Sequence, residues 1–235
     1  MRAALIANVD DADPGFVGRA MRRRGISFVE YLREQWQEWP SLEGIDLVVS
    51  MGSSWSVYWE EQSGPISAEQ SLLARAHGAG IPILGICFGA QQLSTVLGGV
   101  VTNAQSPEIG WFSVQNVAET AEIAPSCLTE GRWMQWHYDK FSVPSGATVL
   151  ADSPVGPQAI VCGASLGLQF HPEATESIVR QWSSGEGVSE LEKQGITLDS
   201  LLSETSATVN DAERRCDELV AWFLRDVAQK HMPHL

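Results

Sequence analysis

The segment Gly-Ile-Cys-Phe-Gly at residues 85–89 constrains the fold more than any other part of this 235-residue chain. An apolar run at residues 81–84 precedes it, and a helical pattern at residues 90–97 follows it. A chain that passes from a buried strand into a helix over so few residues must turn sharply, and small flanking residues allow this. We therefore predict a strand–turn–helix unit that projects the Cys87 side chain at the edge of a sheet.

The first hundred residues alternate between short apolar runs and helical patterns. The apolar runs, each predicted to be a strand, occupy residues 3–9, 26–31, 47–51 and 81–87. The helical patterns between and after them occupy residues 16–24, 67–77 and 90–97. This βαβ order predicts an α/β fold, a three-layer sandwich with a mostly parallel central sheet. Sites on such sheets lie at the carboxyl ends of the strands.

The second half of the chain contains two regions whose hydrophobic patterns differ from that of the first half. Short β-like runs between residues 100 and 170 are separated by Pro and Gly turns, and we expect them to extend or cover the sheet. From residue 175 the pattern is helical and more polar, and residues 211–230 form its clearest amphipathic stretch. We predict a main domain over residues 1–182 and a small helical C-terminal lobe over residues 183–235, packed on the same domain.

Composition and charge narrow the classes of function. The chain has 15 Lys and Arg against 29 Asp and Glu, a net charge of −14, and such a protein repels nucleic acid. Its apolar stretches are too short to span a membrane, and the N-terminal run is predicted to be a strand, not a signal peptide. The cysteines are far apart, which predicts neither a disulfide framework nor a zinc site and favours a reducing cytoplasm.

Cys87 is the candidate nucleophile. It lies at the centre of a Gly-x-Cys-x-Gly pattern, with a helix expected to begin directly after it. The positive potential of that helix N-terminus favours a reactive thiolate, and the backbone N–H of Phe88 is placed to help hold an oxyanion. The alternative is an ordinary buried cysteine beside a Gly-rich turn.

A nucleophilic cysteine generally works with a histidine that a third group holds in place. His171 follows an apolar strand, so it lies at the same edge of the predicted sheet as Cys87. Pro172 favours an extended backbone, in which residues i and i+2 point the same way. Glu173 can therefore orient the His171 ring, and the other ring nitrogen is free to face Cys87.

The remaining histidines are weaker candidates. His231 and His234 lie in the terminal tail, and His77 falls at the end of a predicted surface helix. His137, between Trp136 and Tyr138, has two alternatives: it lines the pocket, or it packs in an aromatic cluster.

Three segments together resemble the class I glutamine amidotransferase domain of the triad type. They are Gly-Ile-Cys-Phe-Gly-Ala-Gln-Gln-Leu at residues 85–93, Gly-Leu-Gln-Phe-His-Pro-Glu at 167–173, and Met-Gly-Ser-Ser-Trp-Ser-Val-Tyr at 51–58. The resemblance covers nearly the whole chain. Glu-Ile-Gly-Trp at 108–111 and Trp-His-x-Asp at 136–139 are similar to free-standing members related to the GMP synthetase amidotransferase domain.

The resemblance implies a flavodoxin-like fold for a catalytic domain at residues 1–182, and it implies residue roles. Cys87 attacks a γ-carbonyl, His171 acts as general base and acid, and Glu173 orients His171. Oxyanion donors are expected at Gly52, Ser53 and Phe88. Gln91 is expected to hold the glutamyl part of the substrate. The further substrate-binding positions are Glu108, Gly110, Trp111 and His137. No metal or organic cofactor is implied.

The oxyanion loop departs from the family pattern at two positions. Ser54 stands where the family usually has a proline, and Trp59 where an acidic residue is common. Nine tryptophans are many for this length, and those near predicted site loops are Trp55, Trp59, Trp111 and Trp136. They favour an aromatic mouth for a bulky leaving amine, although packing beneath long loops is an alternative.

Three functions fit these motifs. The first is a self-sufficient hydrolase of small-molecule γ-glutamyl amides, similar to γ-glutamyl peptidases and γ-glutamylanilide hydrolases. The second is a glutaminase subunit that supplies ammonia to a separate synthetase partner, since no phosphate-binding loop follows residue 173. The third is a catalytically dead binding or regulatory module. The sequence leaves the leaving amine and the oligomeric state open.

Overall fold

An eight-stranded sheet forms the centre of the computed structural model, which describes residues 1–229. The strands within these residues are β1 (Arg2–Ala7), β2 (Ser27–Leu32), β3 (Leu47–Ser50), β4 (Ile83–Ile86), β5 (Val101–Phe112), β6 (Gln115–Asn116), β7 (Trp133–Phe141), β8 (Thr148–Asp152), β9 (Pro157–Cys162) and β10 (Ser165–Leu168). The sheet has the order β2-β1-β3-β4-β10-β9-β8-β6. Neighbours from β2 to β10 are parallel, and β9, β8 and β6 continue it antiparallel.

Helices cover both faces of this sheet. Within the described residues they are α1 (Gly15–Arg23), α2 (Ser63–Gly78), α3 (Phe88–Val96), α4 (Glu176–Trp182), α5 (Glu186–Lys193) and α6 (Leu198–Trp222). Because side chains alternate along a strand, Leu5 packs into a core with α1 and α6, whereas Ile6 packs into a second core with α2 and α3. The predicted three-layer α/β sandwich is confirmed. In residues 1–229 no helix combines the length and apolar character needed to cross a membrane.

The C-terminal helix belongs to the core of the main domain. Leu219 and Val220 of α6, with Phe223 in the π-helical turn Phe223–Ala228, join the same cluster as the α1 side of the sheet. The helical C-terminal portion is therefore as predicted, although α6 begins well before residue 211. The boundary at residue 182 stays a proposal. His231, His234 and the end of the predicted lobe lie outside the described residues.

A separate two-stranded sheet lies over the carboxyl edge of the parallel strands. Its strands, β5 and β7, pair antiparallel from Val101 opposite Phe141 to Phe112 opposite Trp133. The Met134 carbonyl in β7 accepts a hydrogen bond of 2.8 Å from the His171 amide, which joins this small sheet to the loop after β10. The residues of β7 are thereby brought above the strand ends where a site is expected.

The turn between β4 and α3 has the predicted strand–turn–helix form and is strained. Cys87 has φ 49° and ψ −106°, and within residues 1–229 it is the one residue other than glycine with a positive φ. Its amide donates to the Leu168 carbonyl at 2.7 Å, which fixes the turn against β10. A Cβ on Gly89 would lie 2.1 Å from the Ser50 carbonyl oxygen, and one on Gly85 would lie 2.7 Å from the Gly89 oxygen. Only glycine fits at either position.

We expect Gly89→Ala to destabilise the protein by about 3 kcal/mol, because its methyl group would overlap the backbone of Ser50. Gly78→Ala is the matched control, since a Cβ there meets nothing within 4 Å and φ is not positive. Urea denaturation followed by circular dichroism measures both. Equal midpoints for Gly89→Ala and the wild type would contradict the close packing described here.

Candidate active site

Cys87, His171 and Glu173 meet at the carboxyl edge of the parallel strands. The His171 Nδ1 and Glu173 Oε1 atoms are 2.7 Å apart. The side chain of His171 is 5% exposed and that of Glu173 is 2% exposed. The other ring nitrogen, Nε2, is buried and has no hydrogen-bond partner among the described residues. Cys87 is 4% exposed, and its sulfur is close enough to the His171 ring to raise the pKa of that ring. The structure therefore assembles the three residues that the sequence singled out.

The surroundings of His171 favour its charged form. Burial disfavours the positively charged imidazolium and lowers the pKa of His171. The carboxylate of Glu173 and the sulfur of Cys87 favour the charged form more strongly, so the pKa of His171 is raised well above its ordinary value. A carboxylate that holds Nδ1 also fixes the ring so that Nε2 carries the exchangeable proton. The imidazole can thus take a proton from a thiol and deliver it to a leaving group.

Glu173 is held by the start of α1. Its carbonyl oxygen accepts a hydrogen bond of 3.0 Å from the Phe16 amide. A Cβ on Gly15 would lie 2.0 Å from the same oxygen, and Gly15 has φ +46°, so glycine is required there on two grounds. The first turn of α1 thereby positions the residue that orients His171.

Gly52 lies directly against the reacting side chains. A Cβ at this position would be 2.9 Å from His171 Cε1 and 3.7 Å from Cys87 Cβ. The next residue, Ser53, accepts a hydrogen bond of 3.1 Å from the Trp55 amide through its hydroxyl. Gly52 and Phe88, the first residue of α3, therefore both lie beside Cys87, and their N–H groups stay the predicted oxyanion donors.

A fully buried ion pair between Arg33 and Glu69 contacts the backbone of this loop. Arg33 donates to the carbonyl oxygens of Gly52 at 2.9 Å and Met51 at 2.8 Å, and its Nε is 2.8 Å from Glu69 Oε2. Both charged side chains are completely buried, and the Arg33 guanidinium lies 4.8 Å from the centre of the Phe88 ring. Arg33 thus binds the oxyanion loop and contacts the helix that begins after Cys87.

The far end of the loop is attached to β7. The Asp139 carboxylate accepts hydrogen bonds from the Ser56 hydroxyl at 2.5 Å and the Tyr58 hydroxyl at 2.8 Å. Asp139 is 95% buried. The segment after Gly52 is therefore held at both ends, even though Ser54 replaces the family proline.

A cavity of about 120 Å³ opens directly on Cys87. Cys87, Gln91, His137 and Trp55 line it together with Ser53. The Gln91 amide nitrogen is 3.3 Å from Gln169 Oε1, and the Gln169 amide nitrogen is 3.6 Å from the Cys87 sulfur. His137 borders this cavity, although its side chain is only 1% exposed and both ring nitrogens are bonded to other residues, so its role in substrate binding stays a prediction.

A second cavity, of about 230 Å³, is lined by His171. Trp136, Ser53 and Ser54 line both cavities, so the two adjoin. Trp182, the last residue of α4, packs edge-on against the His171 ring with 4.6 Å between ring centres. Its indole N–H is 3.2 Å from each carboxylate oxygen of Asp11.

Several predicted substrate-binding residues lie outside the two cavities. Glu108 lies behind His137, with its Oε2 3.1 Å from the ring Nε2. Trp111 packs in a core cluster with α6, where its indole N–H donates to Thr205 at 2.9 Å, and the neighbouring Gly110 lines neither cavity. Trp59 is 42% exposed and lines neither cavity. Trp111 is buried against α6 and Trp59 is exposed on its loop, so neither contributes to the walls of the two cavities.

Sequence patterns did not reveal four residues that shape the site: Arg33, Glu69, Gln169 and Trp182. Each acts through a contact with residues distant in the chain. Gln169, within the histidine motif, is the one that a local signal could have revealed. Within residues 1–229 no group of three or more His, Cys, Asp or Glu is arranged to hold a metal ion.

The other cysteines are unsuited to nucleophilic attack. Burial raises the pKa of the Cys127 thiol to about 12, and burial also raises that of Cys216 well above its ordinary value. Cys162 lies at the end of β9 and lines neither cavity. All of these thiols are free. Cys87 is therefore the one that adjoins both a histidine and a cavity in the part of the chain described.

Comparison with known proteins identifies the class to which this fold and site belong. Residues 59–181 match the family described as "Glutamine amidotransferase class-I". The chain belongs to this family, which confirms the resemblance found in its motifs.

Its particular relatives include curated proteins named "GMP synthase [glutamine-hydrolyzing]". One, from Helicobacter pylori, is 33% identical over 168 residues, which are 68% of this chain and 30% of the relative. Another, from strain G27 of the same species, is 41% identical over 99 residues, 41% of this chain and 19% of the relative. The chain thus spans less than a third of the length of these relatives.

Solved structures resemble the whole chain. A glutamine amidotransferase from Thermotoga maritima is 29% identical with a TM-score of 0.84, covering 96% of this chain and 99% of that one. A glutamine amidotransferase from Methylobacillus flagellatus is 22% identical with a TM-score of 0.81, covering 97% and 94%, and it supports the fold alone.

We expect Arg33→Met to cost about 3–5 kcal/mol of stability, because it leaves the Glu69 carboxylate buried without its cation. Arg33→Met combined with Glu69→Leu should recover part of this loss, since the unpaired charge is then removed. Urea denaturation of the wild type, the single variant and the double variant measures the effect. A single variant as stable as the wild type would contradict the supporting role given to this pair.

Proposed function

We propose that this protein hydrolyses the γ-amide bond of a γ-glutamyl compound through a γ-glutamyl thioester on Cys87, releasing glutamate and an amine. The observation that carries the proposal is the meeting of Cys87, His171 and Glu173 at one edge of the sheet, where Cys87 lines one of two adjoining cavities and His171 lines the other. Membership in the class-I glutamine amidotransferase family supports the same chemistry.

The first half of the reaction forms the thioester. His171 takes the thiol proton, and the Cys87 sulfur attacks the γ-carbonyl carbon, whose oxygen becomes negatively charged. The N–H groups at Gly52, Ser53 and Phe88 stabilise that charge. The C–N bond then breaks as His171 Nε2 gives its proton to the departing amine. Gln91 holds the glutamyl part in the smaller cavity.

The second half consumes one water molecule. His171 removes a proton from water, and the resulting hydroxide attacks the thioester carbon. The C–S bond breaks, glutamate leaves, and Cys87 regains its proton from His171. Glu173 keeps the ring oriented through both halves and stabilises its positive charge.

The size of the second cavity favours an amine larger than ammonia. At about 230 Å³ it adjoins the general acid, which is where the departing group must sit, and its walls include the indoles of Trp136 and Trp182. The segment after residue 182, including α5, contributes to this cavity, so we propose that the C-terminal lobe shapes the site for self-sufficient hydrolysis. A cytoplasmic location stays a prediction from cysteine usage.

A glutaminase subunit is the second candidate. The curated relatives are named as glutamine-hydrolysing GMP synthases and extend well beyond the matched region, which favours a separate synthetase partner. Under this hypothesis the leaving group is ammonia, and glutamine rather than a larger amide is the preferred substrate.

Incubation of the purified protein with glutamine and with γ-glutamylanilide separates the two candidates. The release of glutamate is measured for each substrate. The Cys87→Ala variant is the control, and we expect its kcat to be lower by at least about a thousandfold, because no other thiol can form the thioester. Faster anilide hydrolysis supports the self-sufficient hydrolase. Preferred glutamine hydrolysis supports the subunit, and full activity of Cys87→Ala would exclude the mechanism.

The raised pKa of His171 predicts a particular pH profile. Because the group donates a proton to the amine, kcat/KM should fall only as the pH rises through a value well above the ordinary 6.5 or so. Glu173→Gln removes the charge that raises this pKa, so the alkaline limb should move to lower pH. Glu176→Gln on α4 is the matched control, since that residue is exposed and pairs with Arg180. An unmoved limb in Glu173→Gln would exclude this role.

A further inference from the structure

The loop that contains Gly52 and Ser53 begins where strand β3 leaves the sheet. The Met51 amide still donates to the Ile6 carbonyl of β1 at 2.9 Å, but the backbone hydrogen bonds within residues 1–229 include none from the N–H of Gly52 or Ser53. Gly52 is buried. Because buried N–H groups in proteins are nearly always paired, two successive N–H groups without a backbone acceptor indicate donors that are kept for a bound molecule.

The carbonyl oxygens of the same two peptide units are both bonded to Arg33. Its Nη2 donates to the Met51 oxygen at 2.8 Å, and its Nη1 donates to the Gly52 oxygen at 2.9 Å. The N–H and C=O of a trans peptide unit point in opposite directions, and residues 1–229 contain no cis peptide bond. The N–H groups of Gly52 and Ser53 therefore point away from Arg33.

The guanidinium of Arg33 is itself fixed in one orientation. Besides the two carbonyl oxygens, it donates to Asn8 Oδ1 at 2.8 Å and to the two carboxylate oxygens of Glu69 at 2.8 and 3.2 Å. All five of its N–H donors thus have acceptors. The Ser50 hydroxyl donates to Glu69 Oε1 at 2.5 Å, which also ties the carboxylate to the end of β3. The two peptide units are therefore held by a group that cannot rotate.

Stability alone does not account for a charged pair at this place. Arg33 and Glu69 are completely buried, and the loss of water around two such charges offsets most of their attraction. Apolar residues of similar volume would stabilise the fold as well or better. Lysine would neutralise Glu69 too, but its single nitrogen cannot bind two successive carbonyls in one plane. The planar guanidinium matches the orientation of the two peptide units.

We infer that Arg33 is a positioning residue for the oxyanion hole. By binding the carbonyls of two successive peptide units, it aims the N–H groups of Gly52 and Ser53 at the substrate oxygen that becomes negatively charged. A Cβ on Gly52 would lie 3.7 Å from the Cβ of Cys87, so the loop adjoins the attacking residue. Arg33 lines neither cavity and acts only through the loop. This inference rests on the proposed function, because the oxyanion forms in that reaction.

The same substitution at two buried arginines tests the inference. In Arg33→Lys we expect kcat for glutamate release to fall about a hundredfold, because the N–H donors lose their fixed direction, while KM stays within about twofold. Arg215→Lys is the matched control, since Arg215 is also completely buried and pairs with Asp211 on α6. The control should keep the wild-type kcat. Equal kcat values for the two lysine variants would overturn the inference.

A double variant separates positioning from stability. Arg33→Met combined with Glu69→Leu leaves no buried charge, so part of the stability lost in Arg33→Met should return. Its kcat should nevertheless stay about a hundredfold below that of the wild type, because nothing then binds the carbonyls of Met51 and Gly52. Urea denaturation and glutamate release are measured on the same preparations. A kcat that recovers together with the stability would overturn the inference.

Alkylation of Cys87 by iodoacetamide completes the test, because the displacement of iodide by the thiolate forms no oxyanion. The alkylation rates of the wild type and Arg33→Lys should agree within about twofold. Parallel losses of alkylation and kcat would show that the thiol itself was disturbed, and would overturn the inference. Hydrolysis by the wild type with kcat retained in Arg33→Lys would keep the proposed function and overturn the inference alone. A wild type that hydrolyses neither glutamine nor γ-glutamylanilide would overturn both.

Discussion

The strained backbone turn at Cys87 is the constraint on which the rest of the site depends. A residue with φ 49° is held there by a hydrogen bond to Leu168 and by two glycines that let α3 approach β3 and β4. The strain projects the sulfur outward and begins a helix immediately behind it. Close packing of backbone on backbone, rather than any side-chain contact, sets the position of the nucleophile.

The groups around that sulfur are fixed from three directions. The start of α1 holds Glu173, which orients His171. The buried Arg33 holds the oxyanion loop from beneath, and Asp139 in β7 holds its far end. Because the supports come from α1, from the segment after β2 and from the separate two-stranded sheet, the site is complete only when the whole fold is formed. Such preorganisation lets donors act on developing charge without rearranging first.

The two cavities are formed by different parts of the chain. The smaller one, at Cys87 and Gln91, is lined mostly by residues of the segments whose resemblance to the family was noted in the sequence. The larger one is formed largely by α4, α5 and the loop after β1, which the shared motifs do not include. Under the proposed function, these segments would therefore select the leaving amine, whereas the residues around Cys87 would form the thioester.

The sequence by itself determined the α/β class, the strand–turn–helix at Cys87 and the family, because each depends on residues close together in the chain. Spacing of two residues along an extended backbone sufficed to connect His171 with Glu173. Only the tertiary structure decided that Trp182 contacts Asp11, a pair separated by 171 positions, and that Arg33 lies buried against Glu69. Only the fold, likewise, placed Trp111 in the core and Trp59 at the surface. Such contacts depend on how distant elements pack, and no local pattern encodes that.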